Sequence, residues 1–204
     1  MFRNRLALIP FLLMVAVIAG VVLWREADNV PGVGRVVTTG QIDVGGPFRL
    51  VDQNGKKVSD ADFRGRYMLI YFGYSFCPDV CPTTLSVMAD ALGKMGADAA
   101  KVVPVFITVD PDRDTSKVLK QYMAAFGPRF VGLTGDHAAI GEVEKEYRVY
   151  SRKRPLDPKN PDGNYAMDHS SVIYLVGPDG KLVNYYDEVI SPSDLAADLK
   201  QKTA

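Results

Sequence analysis

Residues 67–82 read YMLIYFGYSFCPDVCP. The first seven, Tyr67 to Gly73, are almost continuously apolar, as a strand covered on both faces of a sheet must be. The stretch then brings together the two cysteines of the chain, Cys77 and Cys81, and ends in Pro82, which suits the first position of a helix. Residues 83–95, TTLSVMADALGKM, set Leu85, Met88, Leu92 and Met95 at helical spacing. Strand, cysteine loop and helix in that order predict an α/β domain. The loop sits at the C-terminal end of a central strand, where open α/β sheets place their sites.

Working outward, Val102 to Val109 (VVPVFITV) is a second buried strand. Asp114 or Thr115 caps a helix reaching about Phe126, Phe130 to Leu133 is a short strand, and Asp136 caps a helix ending near Tyr147. Before the central strand, PFRLV and KKVSD flank the turn Asp52-Gln53-Asn54-Gly55, a hairpin signal. Residues 151–168, SRKRPLDPKNPDGNYAMD, are polar and carry three prolines, and they read as a long loop. Ser171 to Val176 and Leu182 to Tyr186 form a second hairpin around Pro178-Asp179-Gly180, and an amphipathic helix covers about 192–202. This order predicts a three-layer α/β/α domain of thioredoxin-like form with an extra N-terminal hairpin.

The N-terminal segment is of another kind. Residues 6–24, LALIPFLLMVAVIAGVVLW, carry no charge. As a helix at about 1.5 Å per residue they span roughly 28 Å, close to the hydrocarbon thickness of a bilayer. Arg3 and Arg5 precede them and Trp24 closes them, which places residues 1–5 in the cytoplasm and the rest of the chain outside. Val17-Ile18-Ala19 loosely resembles a signal-peptidase site, but the apolar run continues past it, so an uncleaved anchor is expected. No cysteine lies near it to carry a lipid. Residues 25–45, rich in glycine, read as a linker, and 46–204 as the working domain. The expected location is a bacterial inner membrane, single-pass, with the domain in the periplasm. Lys plus Arg and Asp plus Glu are both 24, and a net charge of zero argues against a nucleic-acid binder.

Residue chemistry leaves three readings of the cysteine pair open: a structural disulfide, a redox pair, or two metal ligands. A disulfide over so short a loop would constrain the unfolded chain little. Thioredoxin-like reductases carry C-x-x-C beside a cis-proline loop. Here the motif is one residue longer, and the corresponding loop offers Asp168-His169-Ser170 without proline. On a helical turn, positions i and i+4 share a face, which would bring both sulfurs together. Cys81 at a helix N-terminus would have its thiol pKa lowered by the dipole. Oxidation of the pair would block metal, so the redox and metal readings are compatible.

Six segments carry a resemblance: Tyr71-Phe72-Gly73-Tyr74, Cys77-Pro78-Asp79-Val80-Cys81-Pro82, Thr108 to Asp114, Val131 to Gly135, Asp168-His169-Ser170 and Gly177 to Gly180. Together they closely resemble the SCO/SenC family of copper-binding proteins, over about residues 45–202. The resemblance implies a membrane-anchored thioredoxin-like protein that helps assemble the copper site of cytochrome c oxidase subunit II. It implies copper ligands at Cys77, Cys81 and His169. Two thiolates and an imidazole suit soft Cu(I). Asp168 is expected to orient the imidazole or tune the charge of the site.

The expected activity is that of a copper chaperone delivering one ion to subunit II, not a turnover enzyme. Other periplasmic copper chaperones and a thioredoxin-like reductant are expected partners. A thiol-disulfide reductase that keeps the subunit II cysteines reduced is the second expectation, and a copper or redox sensor the third. Other features read as structural. Asp110, Asp112 and Asp114 form a turn and cap with Arg113 nearby. His137 is exposed, Met167 packs, and Arg148, Arg152, Lys153, Arg154 and Lys159 make a solvated basic face.

Overall fold

The computed structural model of the chain describes residues 44–160 and 163–204. The expected anchor at 6–24 and almost all of the linker lie outside the described residues. Among the described residues no helix is long and apolar enough to cross a membrane. Gly45 already belongs to the domain, since its N–H donates to the carbonyl of Glu146 at 2.8 Å.

In chain order the first elements are β1 (Arg49–Asp52), β2 (Lys57–Ser59), β3 (Tyr67–Gly73), α1 (Val80–Met95), β4 (Val102–Thr108), α2 (Ser116–Ala124) and β5 (Val131–Thr134). There follow α3 (His137–Glu146), β6 (Ser151–Pro155), β7 (Tyr165–His169), β8 (Val172–Val176), β9 (Leu182–Asp187) and α4 (Pro192–Lys202). Seven strands make one sheet in the order β2-β1-β5-β4-β3-β8-β9. β3, β4 and β5 run parallel, and the remaining pairs are antiparallel. β3 and β4 have a strand on either side, and β4 is buried along its whole length. This is why both read as unbroken apolar runs. The sheet is thioredoxin-like, extended at one edge by the β1–β2 hairpin. That hairpin turns at Gly55 (φ 83°), with Asp52 Oδ1 accepting from the N–H of Asn54 and Lys56.

Helix starts follow capping chemistry. Thr115, Asp136 and Ser191 each accept a backbone N–H from the first turn of α2, α3 and α4. α1 departs from expectation. It begins at Val80 with Asp79 as its cap residue, so Cys81 lies inside the first turn and Pro82 follows it. Proline is still accommodated, because N–H groups of the first turn have no intrahelical acceptor. α1 packs against α4, α2 against β5 and α3 against β1.

The expected loop at 151–168 is corrected at both its ends: β6 and β7 pair antiparallel from Ser151↔His169 to Pro155↔Tyr165, as a separate two-stranded sheet. Arg152, Lys153 and Arg154 on β6 are all exposed, so no apolar alternation marks this strand in the sequence. On β7 the pleat buries Met167 and turns Asp168 outward. His169 is therefore the last residue of a strand.

Candidate metal centre

The site is built where β3 ends. Beyond Gly73 the chain turns, with the N–H of Cys77 donating to the carbonyl of Tyr74 at 3.2 Å. Asp114, fully buried, holds this loop through the N–H of Ser75 at 3.0 Å and through the Ser75 hydroxyl, and also accepts from Thr108 Oγ1 at 2.6 Å. Burial raises the Asp114 carboxyl above the usual range, and those hydrogen bonds oppose the rise. Cys77 is half-buried and Cys81 buried, and both are free thiols. The N–H of Cys81 points at Cys77 Sγ, 3.5 Å away.

His169 reaches the same point from the hairpin. Its Nε2 lies 3.4 Å from Cys81 Sγ. Both sulfurs and an imidazole nitrogen lie within 4.8 Å of one another, and among the described residues no other group of three His, Cys, Asp or Glu side chains is so placed. Nδ1 of His169 stands 3.1 Å from the carbonyl of Ser170. A carbonyl only accepts, so Nδ1 carries the proton and Nε2 presents its lone pair toward the sulfur. Burial lowers the imidazole pKa, which keeps the ring neutral and able to donate to a metal. Tyr71 and Tyr74 stand edge-on to it, with ring centroids 6.3 and 5.8 Å away.

One expectation fails here. The Cys81 thiol pKa is raised, not lowered. Burial is the largest effect on it and pushes its pKa well above the usual thiol range, and the neighbouring Cys77 adds to the rise. A thiol in this position gives up its proton when a soft cation takes its place. Asp168 lies on the exposed face of β7. Its carboxylate accepts from Arg154 Nε at 2.9 Å on the exposed face, and the Ser170 carbonyl holds the ring. Asp168 and Glu188 still act on His169 through charge, raising its pKa by less than burial lowers it.

The other candidates do not converge. His137 pairs with Asp112 at the surface, 2.7 Å apart, and Lys153 binds the same carboxylate. Asp110 takes Arg113 and the hydroxyl of Tyr165, and Met167 is buried as a packing residue. Gly73 was missed as part of the site. A Cβ there would lie 2.9 Å from Cys81 Sγ and 3.0 Å from the Phe106 ring. The usable signal was a glycine at the end of a buried strand, which marks a close approach.

Two free thiols and a neutral imidazole, converging at the end of a central strand of a thioredoxin-like sheet, define a thiol-based domain for handling metal or electrons. The sequence pattern of the SCO1/SenC family matches residues 36–204, and the chain belongs to this family. It is 40% identical over 177 residues to Protein sco1 of Schizosaccharomyces pombe, covering 86% of this chain and 65% of that protein. The structure of Bradyrhizobium japonicum ScoI with copper bound shares 48% identity at a TM-score of 0.71, covering 78% of this chain and 98% of that one. BsSco, described as a member of the Sco family of cytochrome c oxidase assembly proteins with a disulfide switch, shares 28% identity at a TM-score of 0.64, over 81% of this chain and 97% of that one.

Proposed function

We propose that this protein is a copper carrier that holds one ion between Cys77 Sγ, Cys81 Sγ and His169 Nε2. It hands the ion by ligand exchange to the copper site of cytochrome c oxidase subunit II. The observation that carries the reading is the convergence of three donors within 4.8 Å. That spread is close to two metal–sulfur bonds of about 2.3 Å laid end to end. The donor set suits Cu(I), and the ion supplies the positive charge that lets the buried Cys81 ionise. Cys77 borders an open cavity with Ser75, Phe76, Val118, Gln121 and Tyr122, which gives an incoming thiolate or imidazole a way in. The copper-bound state of the related ScoI supports the choice of metal. The oxidase-assembly role given for BsSco supports the recipient.

In this reading Asp168 tunes the site only through its charge. The apolar stretch 6–24 tethers the carrier to a bacterial inner membrane with the domain in the periplasm. Other copper chaperones there load it, and a thioredoxin-like reductant keeps its thiols free. A second reading is favoured by two free thiols lying side by side and by the disulfide switch described for BsSco. Here one thiolate attacks a disulfide of subunit II and the other resolves the mixed disulfide. A Cys77–Cys81 disulfide and a reduced partner result, with two electrons transferred.

The test compares the purified full-length protein with its Cys77→Ser and His169→Ala variants. Cu(I) affinity is measured against a competing chelator, together with the rate of reduction of a subunit II disulfide. The carrier reading expects one copper per chain, lost in Cys77→Ser and sharply weakened in His169→Ala. Parental copper affinity in His169→Ala would rule out the three-donor set. Full reductase rate and full oxidase assembly with that variant would decide for the second reading.

A further inference from the structure

His169 comes to the cysteines on a separate mount. The β6–β7 hairpin pairs only with itself, and His169 is joined to the seven-stranded sheet through Ser170 and Ser171, before β8 begins at Val172. Residues 110–114, between β4 and α2, touch both mounts. On one side Asp114 grips Ser75, two residues before Cys77. On the other, Arg113 Nη1 donates to the carbonyl of Tyr165, the first residue of β7, at 2.9 Å. Its guanidinium carbon lies 3.8 Å from the Tyr165 ring centroid. The same group faces the rings of Phe76 at 5.0 Å and Tyr74 at 5.6 Å, both in the cysteine loop. Buried Asp110 closes the arrangement, with one oxygen taking Arg113 Nε and the other the Tyr165 hydroxyl at 2.8 Å.

We infer that Arg113 is a positioning residue for the metal, a flat cationic spacer that sets the His169-bearing hairpin against the cysteine loop. Neutralising Asp110 does not account for it, because a lysine would do that. What lysine lacks is the planar group that stacks on rings and the second arm that reaches the Tyr165 carbonyl. Arg113 Nη2 is buried with no hydrogen-bond partner, so the guanidinium is not placed to satisfy every donor. Contact then passes from Arg113 through Tyr74, whose ring edge meets His169. The inference rests on the three-donor copper reading above.

A double-mutant cycle on the full-length protein tests it. Arg113→Lys and His169→Ala are made singly and together. Cu(I) affinity is read by chelator competition and apo stability by thermal unfolding. Arg113→Lys alone should weaken copper binding by about 10- to 100-fold, the range for groups that orient metal ligands, with apo unfolding nearly unchanged. In the His169→Ala background the same change should alter affinity by less than about threefold, since the arm it positions no longer carries a donor. Near-parental affinity in Arg113→Lys, with His169→Ala weakened, overturns the inference and leaves the copper reading standing. Equal losses in both backgrounds also overturn it, because Arg113 would then act on the thiols or the fold. Parental affinity in His169→Ala removes the copper reading and the inference with it. Should Arg113→Lys lose cooperative unfolding, Tyr165→Leu removes the ring under the guanidinium and the hydroxyl bond to Asp110 from the hairpin side, leaves the main-chain carbonyl contact in place, and is read through the same cycle.

Discussion

Cys81 and His169 come within 3.4 Å of each other, yet they stand on supports of opposite kinds. Cys81 lies in the first turn of α1, one short loop beyond β3, a strand flanked by β4 and β8 and buried from Met68 to Gly73. Its sulfur rests against the open face of Gly73. His169 ends a two-stranded hairpin whose other strand is largely exposed. Buried Met167, the two tyrosine rings and the Arg113 contacts hold that hairpin. The apolar core therefore fixes the thiol that burial makes hard to ionise, while polar and ring contacts place the imidazole. Damage on the cysteine side should cost folding stability and the site together. Damage on the hairpin side should cost the site and spare the fold.

The largest effect tests the cysteine side. Gly73→Ala puts a methyl into Cys81 Sγ and Phe106, neither of which can retreat into solvent. Overpacking of this kind costs about 1–3 kcal/mol. The expected outcome is that loss in urea unfolding of the apo protein, accompanied by weaker copper binding. An unchanged midpoint would mean that the strand end yields, and would break the contrast between the two supports.

A smaller effect tests the hairpin. Asp168→Asn removes an exposed ion pair with Arg154, and such pairs contribute about 0–1 kcal/mol. Stability should stay within that range, and copper affinity should change by less than about tenfold, the equivalent of 1.4 kcal/mol. A larger loss in chelator competition would give Asp168 the orienting part that the Ser170 carbonyl plays in this structure.

The smallest effect is a change of slope. Glu144 on α3 has its carboxyl pKa raised by burial, opposed by a hydrogen bond from Ser151 at the start of the hairpin, and one of its oxygens is buried without a partner. The folded state then holds this proton at pH values where the unfolded chain, near 4.5, has released it. Its contribution to stability is complete below 4.5 and is lost as the pH rises through the raised value. Glu144→Gln should flatten that part of the stability-versus-pH curve, measured by chemical unfolding at a series of pH values. An unchanged slope would show that the hairpin does not bury this group.

Much of the framework was legible because its signals are local. The apolar run at 67–73 became β3 without adjustment, and Asp136 caps α3 as its position predicted. The Asn-Gly turn made the first hairpin. Cys77, Cys81 and His169 were named from a resemblance, and the fold brings them together. The β6–β7 hairpin was not legible, because a strand that faces water on most of its surface needs no apolar alternation. Its pairing is decided by its partner strand.

The amino-acid sequence by itself determined most of the strand and helix pattern and the pair of sulfurs, since each depends on residues a few positions apart. Only the tertiary structure decided the protonation balance and the mounting of the site. Cys81 and His169 are 88 residues apart in the chain, Ser75 and Asp114 are 39 apart, and Arg113 and Tyr165 are 52 apart. The Cys81 thiol is raised because desolvation grows with every side chain packed around the sulfur, and that packing is not visible from its place near a helix end. Asp168 faces Arg154 and not the imidazole because the pleat of β7 sends alternate residues to opposite sides, and that pleat exists only once β6 has paired with it.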